Sequence, residues 1–226
     1  GGAYLHISRN APAVFCAGAR RALALFGSTS PSYLILQSLD AANRELAGGF
    51  PARLGDMAER TASLGKSLAA HGFTLTGDEP MKLTIAARPW GYTGEGLARA
   101  LYDAGIVPEF YDPDYLVMMV SPSNSAADIS RLGEALMSIP RRRAEDIIPP
   151  LPGRPRAAMR IRDAVMSPAE RIPVEKAVGR VLADTSVGCP PAVPIAVSGE
   201  IIDENAVRCF EYYGIGSCIV TKETDG

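Results

Sequence analysis

The stretch Ser28-Thr29-Ser30-Pro31-Ser32-Tyr33 carries the strongest local signal in this chain. Three hydroxyl residues precede a proline, and apolar residues then recur at helical spacing as far as Leu39. Ser30 is the predicted N-cap and Pro31 the first helical residue. A helix start carries unpaired N–H groups and the positive end of the helix dipole, which suit a phosphate. An ordinary capped helix explains the same residues, and the stretch alone favours that interpretation.

The composition is typical of a folded protein without general affinity for polyanions. The chain has 226 residues, of which 47% are hydrophobic, enough for one large domain or two small ones. Its formal net charge of −2 gives no general attraction to nucleic acid or anionic lipid. We interpret the local basic run Arg141-Arg142-Arg143 as a solvated surface segment. No apolar run approaches the ~20 residues that a membrane-spanning helix needs.

The cysteines and histidines do not predict a metal site. Four cysteines form no C-x-x-C pair and have no histidine at ligand spacing: Cys16, Cys189, Cys209 and Cys218. The two histidines, His6 and His71, cannot build a multi-histidine site. No secretory signal is visible, so reduced thiols in a cytoplasmic protein are the simplest interpretation. We predict no metal ion and a cytoplasmic location.

The first third of the chain predicts one strand and three helices. The strand covers residues 3–8, and the helices cover residues 17–25, 31–46 and 52–71. Glycines 48 and 49 end the second helix, and Gly72 ends the third.

The next segment predicts a small layered domain with one sheet face under two helices. Strands are expected at residues 82–86, 107–111 and 115–120, and helices at 93–103 and 125–137. Thr93 and Ser125 are the predicted caps of these helices. The link Asp112-Pro113-Asp114 favours an antiparallel turn, and Asx-turn hydrogen bonds explain its two carboxylates without acid–base chemistry. Trp90 is expected to pack in the core.

The last third is predicted to begin with a linker and to end in strands. The proline- and arginine-rich segment 138–156 is the linker. Ser167-Pro168-Ala169-Glu170 predicts a capping box, and Pro173 limits the helix that follows to about one turn. Strands are expected at residues 193–197 and 218–220.

Four motifs, taken in order and spacing, resemble the ornithine/lysine/arginine decarboxylase family over nearly the whole chain. They are Ala3-Tyr4-Leu5-His6; Thr29-Ser30-Pro31-Ser32-Tyr33; Gly91-Tyr92-Thr93-Gly94 with Gly105-Ile106-Val107-Pro108-Glu109 and Tyr115; and Pro190-Pro191 through Gly199-Glu200. These enzymes use pyridoxal 5'-phosphate (PLP) and have the aspartate-aminotransferase fold, fold type I. The resemblance implies an α/β fold class, α+β in the small domain, with a β-rich C-terminal appendage.

The resemblance also implies a division into three segments. Residues 1–48 correspond to the end of the large PLP-binding domain, residues 49–140 to the small α/β domain, and residues 141–226 to the C-terminal decarboxylase domain. In family members the Schiff-base lysine lies just before the first motif. We therefore expect it upstream of Gly1, in an N-terminal half of the same polypeptide. No catalytic residue is assigned here, because the lysines present lie in the wrong context: Lys66, Lys82, Lys176 and Lys222.

The cofactor contact implied by the resemblance is at the helix start. In the family, hydroxyls at this position reach the cofactor phosphate of the neighbouring subunit. By position these are Ser28, Thr29 and Ser30, and Ser28 matches best. A capped interface helix without phosphate contact is the alternative for Thr29 and Ser30. The implied partners are a second copy in a homodimer or higher oligomer and a small amino-acid substrate, with neither nucleic acid nor membrane.

The implied reaction is decarboxylation of arginine, lysine or ornithine to a polyamine precursor: agmatine, cadaverine or putrescine. The sequence does not choose among the three substrates. It departs from the family pattern Tyr-Pro-Pro-Gly-Ile-Pro at Cys189-Pro190-Pro191-Ala192-Val193-Pro194. It also departs at Ser198-Gly199-Glu200, where members have Pro-Gly-Glu. Another fold type I enzyme, an aminotransferase or lyase, and a non-catalytic dimerising relative are the alternatives.

Overall fold

The computed structural model describes residues 2–184 and 194–222. The chain divides into two compact units, Gly1–Met57 and Ala58–Gly226, and the boundary falls within helix α3 (Phe50–His71). The departures from the family pattern at residues 189–193 lie outside the described residues. The predicted three-segment division, at residues 48 and 140, remains a prediction.

The first unit contains an N-terminal segment without regular structure and two further helices. Helix α1 spans Ala13–Phe26 and helix α2 spans Tyr33–Ala47. The strand predicted over residues 3–8 is wrong, because these residues pair with no strand in the described part of the chain. Its alternation of side chains is a local signal, whereas a strand requires a hydrogen-bonded partner. The Asn43 amide instead donates to the Tyr4 hydroxyl at 2.8 Å, which ties this segment to α2.

The start of α2 differs from the prediction that Ser30 is the N-cap and Pro31 the first helical residue. The N-cap is Ser32, which has an extended backbone and makes no side-chain capping hydrogen bond. Ser30 is used differently, because its backbone N–H donates to the Ser28 hydroxyl at 3.2 Å. Such local side-chain bonds to the backbone compete with helix formation.

The second unit contains a four-stranded antiparallel sheet with strand order β1-β2-β4-β3. The strands are β1 (Thr74–Thr76), β2 (Lys82–Ala86), β3 (Phe110–Tyr111) and β4 (Tyr115–Met119). Strand β2 has its predicted bounds, β3 is shorter than predicted, and β1 was not predicted. Alternate residues of β2 and β4 are buried on one face: Leu83, Ile85, Leu116 and Met118. We call residues 72–138 the sheet module.

Two capped helices complete the sheet module. Helix α4 spans Gly94–Asp103, and the Thr93 hydroxyl accepts a hydrogen bond from the Gly96 N–H at 3.0 Å. Helix α5 spans Ala126–Ser138 and begins with a full capping box between Ser125 and Asp128. Both predicted caps are confirmed. The apolar sides of α4 and α5 are buried, as expected for helices that cover a sheet.

The C-terminal module consists of residues 157–184 and 194–222, joined to the sheet module by a connecting segment, residues 139–156, without regular structure. It contains α6 (Ile161–Met166), β5 (Ala169–Pro173), α7 (Glu204–Tyr212) and β6 (Ser217–Thr221). Strands β5 and β6 pair antiparallel. The module therefore mixes helices with a two-stranded sheet and is not simply β-rich.

Two predictions in this module are wrong. The capping box at Ser167 does not form, because the residues after it belong to β5 and pair with β6. Pro173 accordingly ends a strand and does not limit a helix. Residues 194–197 form no strand, and Val193 lies outside the described residues. At β5, pairing with the distant strand β6 has overridden the local helix signal. The prediction at residues 218–220 is confirmed within β6.

Candidate functional site

The predicted phosphate-contacting residues form an exposed turn before α2. Ser28, Thr29 and Ser30 are all exposed, and the hydrogen bond from the Ser30 N–H to the Ser28 hydroxyl orders the turn. The first backbone bond of α2 runs from the Leu36 N–H to the Ser32 carbonyl at 3.0 Å. N–H groups before Leu36 therefore have no acceptor within the helix.

This turn has the donors that a phosphate requires. The Ser32 side chain does not occupy the helix start, so the first-turn N–H groups stay open to an anion. The exposed hydroxyls of Thr29 and Ser30 add donors beside them. The residues fit a phosphate chemically, and the assignment of Ser28, Thr29 and Ser30 as its ligands remains a prediction.

A polar cluster around the buried carboxylate of Asp114, in the second unit, was not predicted. We call it the Arg88 cluster: Arg88 follows β2, Asp114 lies in the β3–β4 turn, Glu145 lies in the connecting segment, and Tyr212 ends α7. Asp114 is 6% exposed. The side chain of Arg88 is 14% exposed. Buried charges at these positions require partners, because their transfer out of water is costly.

The hydrogen bonds of the Arg88 cluster converge on one carboxylate oxygen. The Tyr212 hydroxyl donates to Asp114 Oδ1 at 2.6 Å, and Arg88 Nε lies 3.4 Å from the same oxygen. Arg88 also donates to the Tyr212 hydroxyl at 3.4 Å and forms an ion pair with Glu145. The other oxygen, Asp114 Oδ2, is buried and has no hydrogen-bond partner within the described residues.

Burial and these hydrogen bonds shift the pKa values within the cluster. Burial, reinforced by the hydrogen bond to Asp114, raises the pKa of Tyr212 to about 12. Burial lowers the pKa of Arg88, but hydrogen bonds to Glu145 and Tyr212 outweigh it and leave that pKa above its ordinary value. Tyr212 is therefore a neutral hydrogen-bond donor at neutral pH, and Arg88 carries a full positive charge.

Asp112 and Asp114 have different roles in their shared turn. Asp112 Oδ1 accepts hydrogen bonds from the N–H groups of Asp114 at 2.8 Å and Tyr115 at 2.6 Å, which confirms the Asx-turn interpretation for Asp112. Burial raises the pKa of Asp112 despite these two bonds. Asp114 instead points its carboxylate at Arg88 and Tyr212, a role that sequence analysis missed because Tyr212 lies far along the chain.

The connecting segment runs along residues 88–92. The N–H groups of Arg142 and Glu145 donate to the carbonyls of Trp90 and Arg88, both at 3.1 Å. Trp90 is 4% exposed and stacks on Phe73 with ring centroids 4.1 Å apart, so its predicted core position is confirmed. The basic run Arg141-Arg142-Arg143 is exposed, as expected. The guanidinium carbon of Arg142 lies over the Tyr92 ring, 4.2 Å from the ring centroid.

Residues 2–184 and 194–222 contain neither a cluster of metal-ligating side chains nor a membrane-spanning helix. These residues contain no group of three or more His, Cys, Asp or Glu side chains that could hold a metal ion. No helix in this part of the chain combines the length and apolar character needed to cross a membrane.

Comparison with known families and proteins identifies relatives. The model of the Orn/Lys/Arg decarboxylase C-terminal domain matches residues 149–217. The arginine decarboxylase of Bacillus subtilis (strain 168) is 31% identical over 208 residues, which cover 82% of this chain and 42% of that protein. The arginine decarboxylase of Halalkalibacterium halodurans is 30% identical over 204 residues, which cover 81% of this chain and 41% of that protein.

Solved structures show the same fold. The Escherichia coli constitutive lysine decarboxylase matches with a TM-score of 0.63 at 18% identity, covering 89% of this chain and 45% of that one. The Francisella novicida lysine decarboxylase LdcF matches with a TM-score of 0.60 at 15% identity, covering 88% and 42%.

The chain thus spans about two fifths of the length of the curated relatives. The matched family model is that of their C-terminal domain, and the fold mixes helices with antiparallel sheet as in the matched part of lysine decarboxylase. This chain belongs to the Orn/Lys/Arg decarboxylase family and corresponds to the C-terminal portion of its members.

Proposed function

We propose that this chain is the C-terminal part of a cytoplasmic, PLP-dependent enzyme that removes the α-carboxylate of a basic amino acid. One observation carries the proposal: proteins named arginine decarboxylase are 28–31% identical to it over 78–82% of its length. Arginine, which would give agmatine, is therefore the first substrate to test. Lysine and ornithine are the next substrates to test, because the family resemblance implies them equally.

The proposed contribution of this chain is an anchor for the cofactor phosphate. PLP, when bound, supplies an electron sink for the carbanion left when carbon dioxide departs. The Ser28 and Thr29 hydroxyls and the first-turn N–H groups of α2 would donate hydrogen bonds to the phosphate. The positive end of the helix dipole favours the same dianion. Such an anchor would hold the cofactor while groups elsewhere in the polypeptide act on the substrate.

We also propose that the anchor acts across the interface of a homodimer. The Schiff-base lysine, the aspartate that pairs with the pyridine nitrogen and the ring-stacking residue would come from an N-terminal half of the polypeptide. The surface of the first unit supports further partners, because neither α1 nor α2 buries a residue. Phe26 is 90% exposed and Tyr33 is 88% exposed. Apolar surface of this kind usually marks an interface.

The test of the reaction uses the polypeptide encoded by the intact reading frame. We expect release of carbon dioxide from one of arginine, lysine or ornithine when PLP is present. If none of the three releases carbon dioxide at saturating PLP, the proposed reaction is wrong. The 226-residue chain alone should give no absorbance band of lysine-bound cofactor. A band that disappears on substituting one of its lysines would contradict the upstream position of the Schiff-base lysine.

The phosphate anchor is tested separately with the double variant Ser28→Ala, Thr29→Ala. Hydrogen bonds to a charged group contribute about 1.5–3 kcal/mol each, so we expect the loss of two to raise the Kd for PLP roughly 100-fold or more. The kcat at saturating PLP should change little. Ser123→Ala, an exposed turn serine of the sheet module, is the matched control. A double variant with the control's PLP affinity would refute the anchor and leave the reaction proposal intact.

A further inference from the structure

The sheet module and the C-terminal module do not share a hydrophobic core. The buried cluster of the C-terminal module lies between Val174 and Val220 and includes Leu182, Ile202 and Phe210. None of its described members comes from the sheet module. Since most folding free energy comes from apolar burial, each module has its own stabilising core. Another set of contacts must fix the orientation of one module on the other.

The Arg88 cluster links the two modules. Asp114 belongs to the sheet module, where its carbonyl accepts a hydrogen bond from the Ala87 N–H at 2.7 Å. Tyr212 ends α7, whose buried residues include Val207 and Phe210 of the C-terminal core. The 2.6 Å hydrogen bond between Tyr212 and Asp114 therefore joins two positions that are each held by their own module.

Arg88 also binds the connecting segment to this contact between the two modules, through its ion pair with Glu145. Its guanidinium contacts Asp114, Tyr212 and Glu145, which belong to the β3–β4 turn, α7 and the connecting segment. The Glu145 N–H also donates to the Arg88 carbonyl at 3.1 Å, so this segment is held by both backbone and side chain. The side chain of Arg88, which is 14% exposed, thus contacts all three parts of the second unit outside α3.

We propose that Tyr212, Asp114 and Arg88 form a latch that sets the orientation of the C-terminal module on the sheet module. Loss of the Tyr212 hydroxyl leaves a buried carboxylate with one donor fewer, and such losses are costly. Because the two cores are separate, the modules can relieve this cost by parting at the cluster while each stays folded. The latch follows from the contacts alone and does not depend on the proposed reaction.

The test is a distance measurement between the two modules in the full chain. Spin labels are placed on α5 and α7 through Glu134→Cys and Arg208→Cys, both exposed positions, with Cys16 and Cys189 changed to serine. We expect a narrow distance distribution in this background and a broader one when Tyr212→Phe is added. The loss of a hydrogen bond of 1–2 kcal/mol raises the fraction of molecules with separated modules roughly 5- to 30-fold.

The matched control is Tyr213→Phe, which removes the neighbouring hydroxyl from a ring in edge contact with Tyr212. Asp114→Asn is a second latch variant of nearly unchanged volume. Broadening in Tyr212→Phe and Asp114→Asn, with a narrow distribution in Tyr213→Phe, would support the latch. Distributions as narrow as the background in both latch variants, or equal broadening in the control, would overturn it. Far-UV circular dichroism verifies that each variant stays folded, as the separate cores require.

Discussion

Helices α2 and α4 both follow an amphipathic pattern, yet only α4 buries its apolar side. Leu97 and Leu101 of α4 are fully buried. Leu34 of α2 is 77% exposed, and no residue of α2 is buried. The difference teaches that periodicity predicts a helix, whereas burial depends on what covers it. The sheet lies in the same unit as α4, and α2 has no comparable cover among the residues that the structure describes.

The largest effect should come from a cavity under α4. Leu101→Ala removes a fully buried side chain, and we expect a loss of about 2–5 kcal/mol in the free energy of unfolding. Leu34→Ala, at an exposed position of α2, should stay within about 0.5 kcal/mol. Urea unfolding followed by Trp90 fluorescence and far-UV circular dichroism measures both. Equal losses would show that α2 is covered as well as α4.

A smaller effect is expected from adding one methyl group to each region. A Cβ on Gly94 would overlap the backbone carbonyl oxygens of Tyr115 and Asp112, which cannot move aside as a side chain can. We expect Gly94→Ala to lower the free energy of unfolding by about 1–3 kcal/mol. A Cβ on Gly18 in α1 meets no atom within 4 Å. Gly18→Ala should therefore stabilise α1 by about 0.5–1 kcal/mol. Thermal unfolding compares the two variants, and a neutral Gly94→Ala would contradict the close packing.

The N-cap serines of α5 and α2 should also differ in how much they contribute to the free energy of unfolding. Ser125→Ala removes a capping box from α5 and should cost about 1 kcal/mol in urea unfolding. Ser32→Ala removes a side chain that makes no capping bond to α2, and its effect should stay within about 0.5 kcal/mol. A larger loss for Ser32→Ala would indicate that α2 is capped in solution.

The smallest effect is a pH dependence confined to the second unit. The folded-state pKa of Tyr212 is about 12, above its ordinary value of 10.0, so the folded state holds this proton more tightly than the unfolded state. The stabilisation is complete below pH 10 and is lost as the pH rises towards 12. Tyr212→Phe should reduce this slope in chemical unfolding, to which the burial-raised pKa values of Tyr213 and Cys209 also contribute, whereas Tyr33→Phe in α2 should leave it unchanged. An undiminished slope in Tyr212→Phe would assign it to other groups.

The sequence predicts the elements whose signals are local. Strand β2 and the caps at Thr93 and Ser125 were found because periodicity and capping residues act within a few positions. The capping pattern at Ser167 failed because Ala169–Pro173 pairs with a strand far along the chain. The strand predicted over residues 3–8 failed for the related reason that its partner is missing from the described residues.

The candidate sites divide in the same way. Ser28, Thr29 and Ser30 were predicted through the family resemblance, and their phosphate contact remains a prediction. The Arg88 cluster was invisible, because its members come from separate elements that meet only in the folded chain. Asp114 was interpreted as a turn residue, and nothing local distinguishes it from Asp112. Long-range hydrogen-bond partners cannot be read from a single sequence.

Because β5 pairs with β6, the two-stranded sheet of the C-terminal module can form only late in synthesis. Strand β5 ends at Pro173 and β6 begins at Ser217, so a ribosome adding roughly 5–20 residues per second supplies the partner about 2–9 s later. The sheet module is already translated by then. During that interval the edge of the nascent β5 is unpaired and prone to aggregate. A chaperone that binds unfolded chains would act on β5 at this stage.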